Sequence, residues 1–328
     1  MASHSSSRAG AGVAVPDQVV LSVSGHLTDR DRALVRLVAE HRVLTTGQLT
    51  AMYFTSLTTA RHRLAVLVEL GLLRRFRPRR EVGSAPGHYL LGRVGAALLG
   101  AEDRDERKWL PQVRTDRQLA LERSQRLAHM TGANWFFAAL ARHARTSGGT
   151  LTQWWGEQAT AAWLDRTYVS GGVLAVHPDG LGVWAQDSTD LAFVLEYDTG
   201  TEHLSQLTAK LDGYARPGGK DGYNTGPVTL PVLFCFGTSR REQSARRALA
   251  AHPAASMLPI ATAAFDPEHT SPAGPLWLPL TGQPGRPMRL IELGEVMPSG
   301  RPGGSRSAQP QHPVAGELDD DPDDPYGP

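Results

Sequence analysis

The stretch that most constrains the fold covers residues 176–214, where two apolar segments each end in acidic residues. In the second segment, FVLEYD, a strand would alternate its faces, so Glu196 and Asp198 would point to the same side. Asp179 belongs to a Pro-Asp pair about one hairpin upstream, close enough to lie alongside Glu196. The pattern therefore predicts carboxylates that converge at one edge of a sheet.

Converging carboxylates suit a hard divalent cation, because Mg²⁺ takes oxygen ligands and usually one or two carboxylates. The predicted metal ligands are Asp179, Glu196 and Asp198, and Mg²⁺ is the cofactor that such a site would hold. Phosphodiester chemistry uses this ion to polarise a phosphoryl oxygen and to generate hydroxide. The alternative is that Asp179 and Asp198 are turn residues at strand ends, since Asp-Gly and Asp-Thr-Gly favour turns.

The order of Pro-Asp, hairpin, glutamate and helix resembles the core of restriction-endonuclease-like nucleases, which carry the motif PD-(D/E)xK. This chain departs from the motif because Asp198 stands where that family has a lysine. Lys210 is the candidate replacement, since Glu202, Gln206 and Lys210 are spaced four residues apart and would share one helix face, unless that face is merely solvated. The resemblance implies a catalytic set of Asp179, Glu196, Lys210 and Gln206.

A unit of three helices is predicted nearer the N-terminus. Thr28 is a good N-cap for the first helix, whose first turn is acidic. A second helix is expected over residues 46–53. A third helix, with Thr58 as its cap, would end at Gly71, because glycine readily takes the left-handed conformation that closes a helix.

The third helix and the segment after it carry the side chains expected of a winged helix-turn-helix, with an arginine-rich hairpin as the wing. The predicted DNA-contacting residues are Thr58, Thr59, Arg61, His62, Arg63, Arg74, Arg75, Arg77, Arg79 and Arg80. Residues 29–93 contain 12 Lys+Arg and five Asp+Glu, an excess of +7 in a chain whose net charge is +1. This local charge would favour phosphate binding in a salt-dependent way. The alternative is a winged helix used for dimerisation or protein contact.

The chain of 328 residues is long enough for two domains with hydrophobic cores. The predicted fold class is mixed α/β, with an N-terminal winged helix-turn-helix followed by a restriction-endonuclease-like α/β domain. Within a long helical segment, Gly132 is expected to break the helix, and His129 is expected to be a satisfied core residue. The predicted boundaries are a disordered tail at 1–25, the winged helix at 26–100, a helical linker at 101–148, the α/β domain at 149–298 and a disordered acidic tail at 299–328.

Composition narrows the classes of protein further. The single cysteine, Cys235, lies within an apolar run, so it is expected to be a buried hydrophobic residue, and no disulfide framework is possible. No apolar segment approaches the length of a membrane span, and the N-terminus lacks the order of a signal peptide. These features predict a cytoplasmic protein without a membrane partner.

Taken together, the motifs resemble the replication-relaxation family of actinobacterial plasmids and mobile elements. The resemblance spans residues 26–265 and is carried by LTDRD at 27–31, RHRL at 61–64, LGLL at 70–73, HPD at 177–179, LEYDTG at 195–200 and KLDGY at 210–214. It implies a protein of plasmid replication or mobile-element maintenance whose partners are double-stranded DNA and plasmid replication proteins. A homodimer is left open.

Two main functions fit this sequence. In the first, the protein docks on DNA through the winged helix, and the nuclease-like domain holds the DNA or cuts it as a Mg²⁺-dependent endonuclease. In the second, the protein is a non-enzymatic repressor or replication accessory factor whose C-terminal domain mediates dimerisation or partner recruitment. A weaker third hypothesis is a small-ligand pocket around Trp154, Trp155 and Trp163.

Overall fold

The computed structural model describes residues 15–79, 83–102, 120–122, 124, 126–168, 176–215, 228–280 and 286–297. Arg80 and the predicted acidic tail lie outside these residues. A disordered tail is predicted through residue 25, but its described part contains a helix, α1 (Asp17–Ser24). This helix is stabilised because Val20 and Val23 are buried against the neighbouring helices. The small polar residues around them gave no sign of this burial in the sequence.

The N-terminal unit, residues 15–102, contains three consecutive helices and a hairpin in the predicted order. After α1 come α2 (Asp29–His41), β1 (Leu44–Thr45), α3 (Thr46–Tyr53), α4 (Leu57–Glu69), β2 (Leu73–Phe76), β3 (His88–Leu91) and α5 (Arg93–Glu102). The three strands form an antiparallel sheet in the order β1-β3-β2. The two-residue β1 therefore joins the hairpin to the helices.

Local capping fixes where these helices begin and end. Thr28 caps α2 as predicted, because its side chain accepts from the backbone N–H of Asp31 and the Asp31 carboxylate accepts in return. Thr58 was expected to cap α4, but Ser56 does so, because its hydroxyl accepts from a backbone N–H of the first turn. Gly71 ends α4 as predicted, with a φ of +71°.

The sheet unit, residues 126–297, is built around six strands. Its elements are α6 (Arg126–Ser147), β4 (Thr150–Gly156), α7 (Glu157–Tyr168), β5 (Gly180–Gln186), β6 (Thr189–Asp198), α8 (Leu204–Ala215), β7 (Val232–Phe236), α9 (Ser239–Ala250), a 3-10 turn (Pro253–Met257), β8 (Ile260–Ala264), β9 (Leu278–Pro279) and α10 (Leu293–Val296). The strand order is β4-β5-β6-β7-β8-β9. The β6, β7 and β8 strands are parallel, and the remaining pairs are antiparallel. The predicted mixed α/β class is confirmed.

The hairpin of β5 and β6 brings the Pro-Asp pair to the glutamate. Its two turn residues, Asp187 and Ser188, have φ of 52° and 62°, the positive values that suit the twist of a two-residue hairpin. The register pairs Gly180 with Leu195. The backbone N–H of Asp179 donates to the Leu195 carbonyl at 2.9 Å. Asp179 therefore lies beside the carboxyl-terminal end of β6.

Helix α6 packs against both units. The Gln48 amide donates to the Thr131 carbonyl at 2.8 Å, and a Cβ at Gly47 would lie 2.9 Å from the Trp135 ring. One buried apolar cluster contains side chains of α3 and α4 together with side chains of α6 and the sheet. A helical linker is predicted over 101–148, but its described C-terminal part is a core helix that continues without a break through Gly132.

Several aromatic and sulfur side chains are core residues. Cys235 is fully buried in β7, as expected, and burial raises the pKa of its thiol. Trp154, Trp155 and Trp163 are also buried, and the last two pack edge to face. None of the described helices has the length and apolar character that crossing a bilayer requires.

Candidate functional site

Asp179 is held by two donors at the end of β6. Its Oδ2 accepts from the backbone N–H of Tyr197 at 2.7 Å, and its Oδ1 lies 2.6 Å from Nε2 of His129. His129 belongs to α6, so three separate segments meet at this carboxylate. The carboxylate is consequently fixed in orientation before any ligand arrives.

Glu196 is paired with the lysine predicted to replace the missing one of the nuclease motif. Its side chain is only 2% exposed, its Oε2 lies 2.9 Å from Nζ of Lys210, and its Oε1 accepts from the Tyr214 hydroxyl at 2.5 Å. Lys210 and Tyr214 are four residues apart on α8 and therefore share the face that looks toward β6. Lys210 also lies 3.3 Å from Oε2 of Glu202.

These contacts perturb the protonation of both partners. Burial raises the pKa of Glu196 to about 7, with the nearby Asp179 adding to the shift and the Lys210 ammonium opposing it. Burial lowers the pKa of Lys210, but the Glu196 carboxylate outweighs that effect, so the pKa is raised and the amine stays charged. The pair is thus a buried carboxyl that titrates near neutral pH beside a permanent cation.

His129 is a site residue that the sequence analysis assigned to the core. It reaches Asp179 because Gly132, one turn further along α6, lets the helix lie directly on Tyr197. A Cβ at Gly132 would lie 2.2 Å from that ring. Burial lowers the pKa of His129, but the hydrogen bond and charge of Asp179 outweigh this, and the net pKa is raised. The signal in the sequence was Gly132, a glycine inside an otherwise apolar helix, which marks the close approach of the helix to the Tyr197 ring.

Two other predicted residues have different partners. Asp198 is 3% exposed; its Oδ2 binds the guanidinium of Arg241 on α9, at 2.7 Å from Nε, and its Oδ1 accepts from the Gly200 backbone N–H at 2.6 Å. The side-chain oxygen of Gln206 accepts from the His203 backbone N–H at 3.4 Å. The structure thus brings together Asp179, Glu196 and Lys210, whereas the hydrogen bonds of Asp198 and Gln206 go elsewhere.

The same contacts bear on the predicted Mg²⁺. All four carboxylate oxygens of Asp179 and Glu196 already accept from protein donors. Within the described part of the chain, no group of three or more His, Cys, Asp or Glu side chains is placed to hold a metal ion. The arrangement places an ammonium beside Glu196, so Asp179 and Glu196 would have to release or share their present donors to take a Mg²⁺.

A cleft of about 1150 Å³ opens between the end of α2, helix α6 and helix α8. Its lining includes Asp179 and Lys210 from the carboxylate site, as well as His129 and Gln206. Arg42, from the N-terminal unit, also lines the cleft. The cleft therefore joins the sheet unit to the N-terminal unit and gives the carboxylate–lysine site access to a ligand.

The residues predicted to contact DNA fall into exposed and paired groups. Thr59 and Arg74 are half-buried, and Arg74 lies 2.6 Å from Glu122. Arg63 is 9% exposed, and its guanidinium binds both carboxylate oxygens of Asp31 in the cap of α2. Arg63 therefore holds α4 to α2, and we assign it to the fold. The exposed predicted residues are Thr58, Arg61, His62, Arg75, Arg77 and Arg79.

Comparison with known proteins gives one assignment. The family model described as "Replication-relaxation" matches residues 35–229, which is more than half of the 328 residues. The comparisons with curated proteins and with solved structures gave no match. The matched range includes the α4 helix, the hairpin and the carboxylate–lysine site. The chain belongs to the replication-relaxation family.

Proposed function

We propose that this protein binds double-stranded DNA during the replication of plasmids or other mobile elements, and that its N-terminal unit acts as a winged helix-turn-helix. The order of three helices, a short strand and a hairpin supports this proposal. Membership of the replication-relaxation family agrees with a role at a replicating DNA. The observation that carries the proposal is the set of exposed cations on α4 and on the hairpin.

The exposed arginines lie on the two elements that a winged helix presents to DNA, the α4 helix and the hairpin. Arg61 lies in the N-terminal half of α4, where a recognition helix presents its donors to base edges. Arg75 lies in β2 and Arg77 directly follows that strand, and both side chains are exposed. Buried Arg63 and half-buried Arg74 have carboxylate partners within the protein, which leaves the exposed arginines to bind phosphates.

For the sheet unit we propose a restriction-endonuclease-like core that holds DNA without cutting it. The antiparallel β4-β5-β6 followed by a helix and a parallel β7 supports this assignment. In this core Lys210 pairs with Glu196, and His129 and a backbone N–H hold Asp179. Asp198 binds Arg241 of α9. A DNA strand in the cleft would then meet carboxylates that are already hydrogen-bonded within the protein.

A second candidate is a Mg²⁺-dependent endonuclease, and one observation favours it. Lys210 reaches Glu196 from α8, so the chain does supply an ammonium to the site although the nuclease motif has lost its usual lysine. In this candidate Asp179 and Glu196 would hold the ion, which would polarise the phosphoryl oxygen. Both carboxylates would first have to exchange their present donors for the ion.

A plasmid assay separates the candidates. Supercoiled plasmid is incubated with the protein and Mg²⁺ or Mn²⁺, beside Glu196→Gln and, as a matched control, Glu202→Gln at a more exposed carboxylate that also contacts Lys210. We expect a gel shift with every protein and no nicking. Nicking that Glu196→Gln abolishes and Glu202→Gln retains would establish the endonuclease instead. The absence of any shift would overturn the DNA-binding proposal.

A further inference from the structure

The segment between α2 and β1 contains a strained backbone. Arg42 has φ of 67° and ψ of −45°, and the backbone N–H of Val43 donates to the carbonyl of His41 at 2.7 Å. This is a γ-turn with positive φ at its centre, a form that is rare and strained. A residue other than glycine in such a conformation persists only when its surroundings enforce it.

The enforcement comes from α6. The side-chain amide of Asn134, which is 8% exposed, donates to the Val43 carbonyl at 2.8 Å and to the His41 carbonyl at 3.4 Å. One buried amide therefore holds the carbonyls on both sides of Arg42. Because Asn134 belongs to the helix that carries His129, the turn and the carboxylate–lysine site are built on the same support.

The turn also leaves a buried histidine without hydrogen bonds. Neither ring nitrogen of His41 has a hydrogen-bond partner among the described residues, and the ring stacks on Trp154 with centroids 3.6 Å apart. Burial lowers the pKa of His41 to about 3, so the ring is neutral at physiological pH. Two destabilising features thus coincide at one turn, and stability alone gives no reason to keep them.

What the turn provides is a cation in the cleft. Arg42 is exposed and lines the cleft, as does Arg126 at the start of α6. The third cation of the lining, Lys210, is occupied by Glu196 and Glu202. For Arg42 and Arg126, no ion pair forms within the part of the chain that the structure describes. The lining also contains the carboxylates of Glu40, Glu157, Asp179 and Glu202. Among the described residues, the cleft therefore offers two guanidinium groups that are not engaged in ion pairs.

We propose that Arg42 anchors a backbone phosphate of the bound DNA in the cleft, and that the γ-turn exists to place its guanidinium there. The inference rests on the proposed DNA binding and adds a second contact point to it, away from α4 and the hairpin. Phosphate is the chemistry that fits, because the planar guanidinium fork binds phosphate oxygens in pairs. A cation in this lining also offsets the repulsion that the carboxylates of the cleft would exert on an approaching phosphodiester.

The test uses Arg42→Gly in the full chain, because glycine accepts positive φ while the side chain is lost. Affinity for a fluorescent DNA duplex is measured by anisotropy over a salt series, together with the Tm. We expect an unchanged or higher Tm, weaker binding, and a salt slope smaller by roughly 0.9, the value for one phosphate contact. A second variant, Arg42→Gln, removes the same charge without introducing a glycine. The control for net charge is Arg240→Gln, at an exposed position on α9 outside the cleft lining.

Each outcome decides the inference. If Arg42→Gly and Arg42→Gln keep the wild-type affinity and slope while Arg75→Gln lowers both, the Arg42 inference fails and the proposed function stands. If Arg240→Gln lowers the slope as much as Arg42→Gln, the effect is one of net charge and the inference fails as well. If the wild-type protein does not bind the duplex, the proposed function fails and the inference with it.

Discussion

Replacing Lys210 by methionine removes the ammonium 2.9 Å from Glu196 and keeps a long unbranched side chain in its place. The pKa of Glu196 is raised from 4.5 to about 7 even with the lysine present. At about 1.4 kcal/mol per pKa unit, this equals roughly 3 kcal/mol of preference for the protonated carboxyl in the fold. Without Lys210, which lowers this pKa, the carboxyl should titrate at still higher pH.

The sign of the pH dependence follows from the raised pKa. A carboxyl whose pKa is higher in the folded state contributes stability below its unfolded pKa of 4.5, and this contribution is lost as pH rises through the folded pKa. In Lys210→Met the loss continues above pH 7, because Glu196 must ionise while buried without a cation. We expect a loss of about 3–5 kcal/mol at pH 8 and about 1 kcal/mol at pH 5.

Urea unfolding followed by circular dichroism at these two pH values measures the difference. The control is Glu202→Gln, whose carboxylate also contacts Lys210 but is 27% exposed, so its removal should cost less than about 1 kcal/mol at either pH. An equal loss of stability at pH 5 and pH 8 in Lys210→Met would show that the lysine does not neutralise a buried carboxylate. The reasoning about the site would then be wrong.

Two further predictions concern contacts between elements. Gly132→Ala places a methyl group 2.2 Å from the Tyr197 ring, so we expect a net loss of about 1–2 kcal/mol in urea unfolding, since overpacking outweighs the better helix propensity. An NMR titration should also show the pKa of His129 falling as its contact with Asp179 is lost; an unchanged pKa would contradict the close-approach argument. Arg63→Gln leaves the Asp31 carboxylate buried without its cation, so the free energy of unfolding should fall by about 3–5 kcal/mol, whereas the salt slope of DNA binding should not change. A reduced salt slope of DNA binding in Arg63→Gln would show that Arg63 contacts DNA after all.

The features of the fold that could be predicted from the sequence are those set by residues only a few positions apart. Alternation along β6 places Glu196 and Asp198 on one face, and the four-residue spacing of α8 lets Lys210 face Glu196. The capping of α2 by Thr28 and the end of α4 at Gly71 are also local, because each depends on residues within one turn. Such features follow from the chain itself before any tertiary contact forms.

The partners that sequence analysis missed are distant in the chain. Arg241 pairs with Asp198, which lies 43 residues earlier in the chain, and His129 pairs with Asp179, which lies 50 residues later. No local pattern specifies either pair. Gly132 carried a signal that admits two interpretations, a helix break or a close approach, and only the packing against Tyr197 decides between them.

The strained backbone at Arg42 could not be predicted from the sequence either. Its sequence neighbours contain no glycine or asparagine that would mark a positive φ, and the conformation is imposed by Asn134 from a helix about 90 residues later. Charge counting over residues 29–93 located the basic unit, but it did not separate Arg63, which is paired inside the fold, from Arg61, which is exposed. Burial makes that distinction.

The most direct test of DNA docking is the salt dependence of duplex binding by the double variant Arg75→Gln, Arg77→Gln. Its matched control is Arg240→Gln, Arg247→Gln, which removes the same charge from exposed positions on α9. If the hairpin contacts two phosphates, the slope of log K against log salt should fall by roughly 1.8 in the first variant and stay at the wild-type value in the control. Equal slopes in all three proteins would contradict docking through the hairpin.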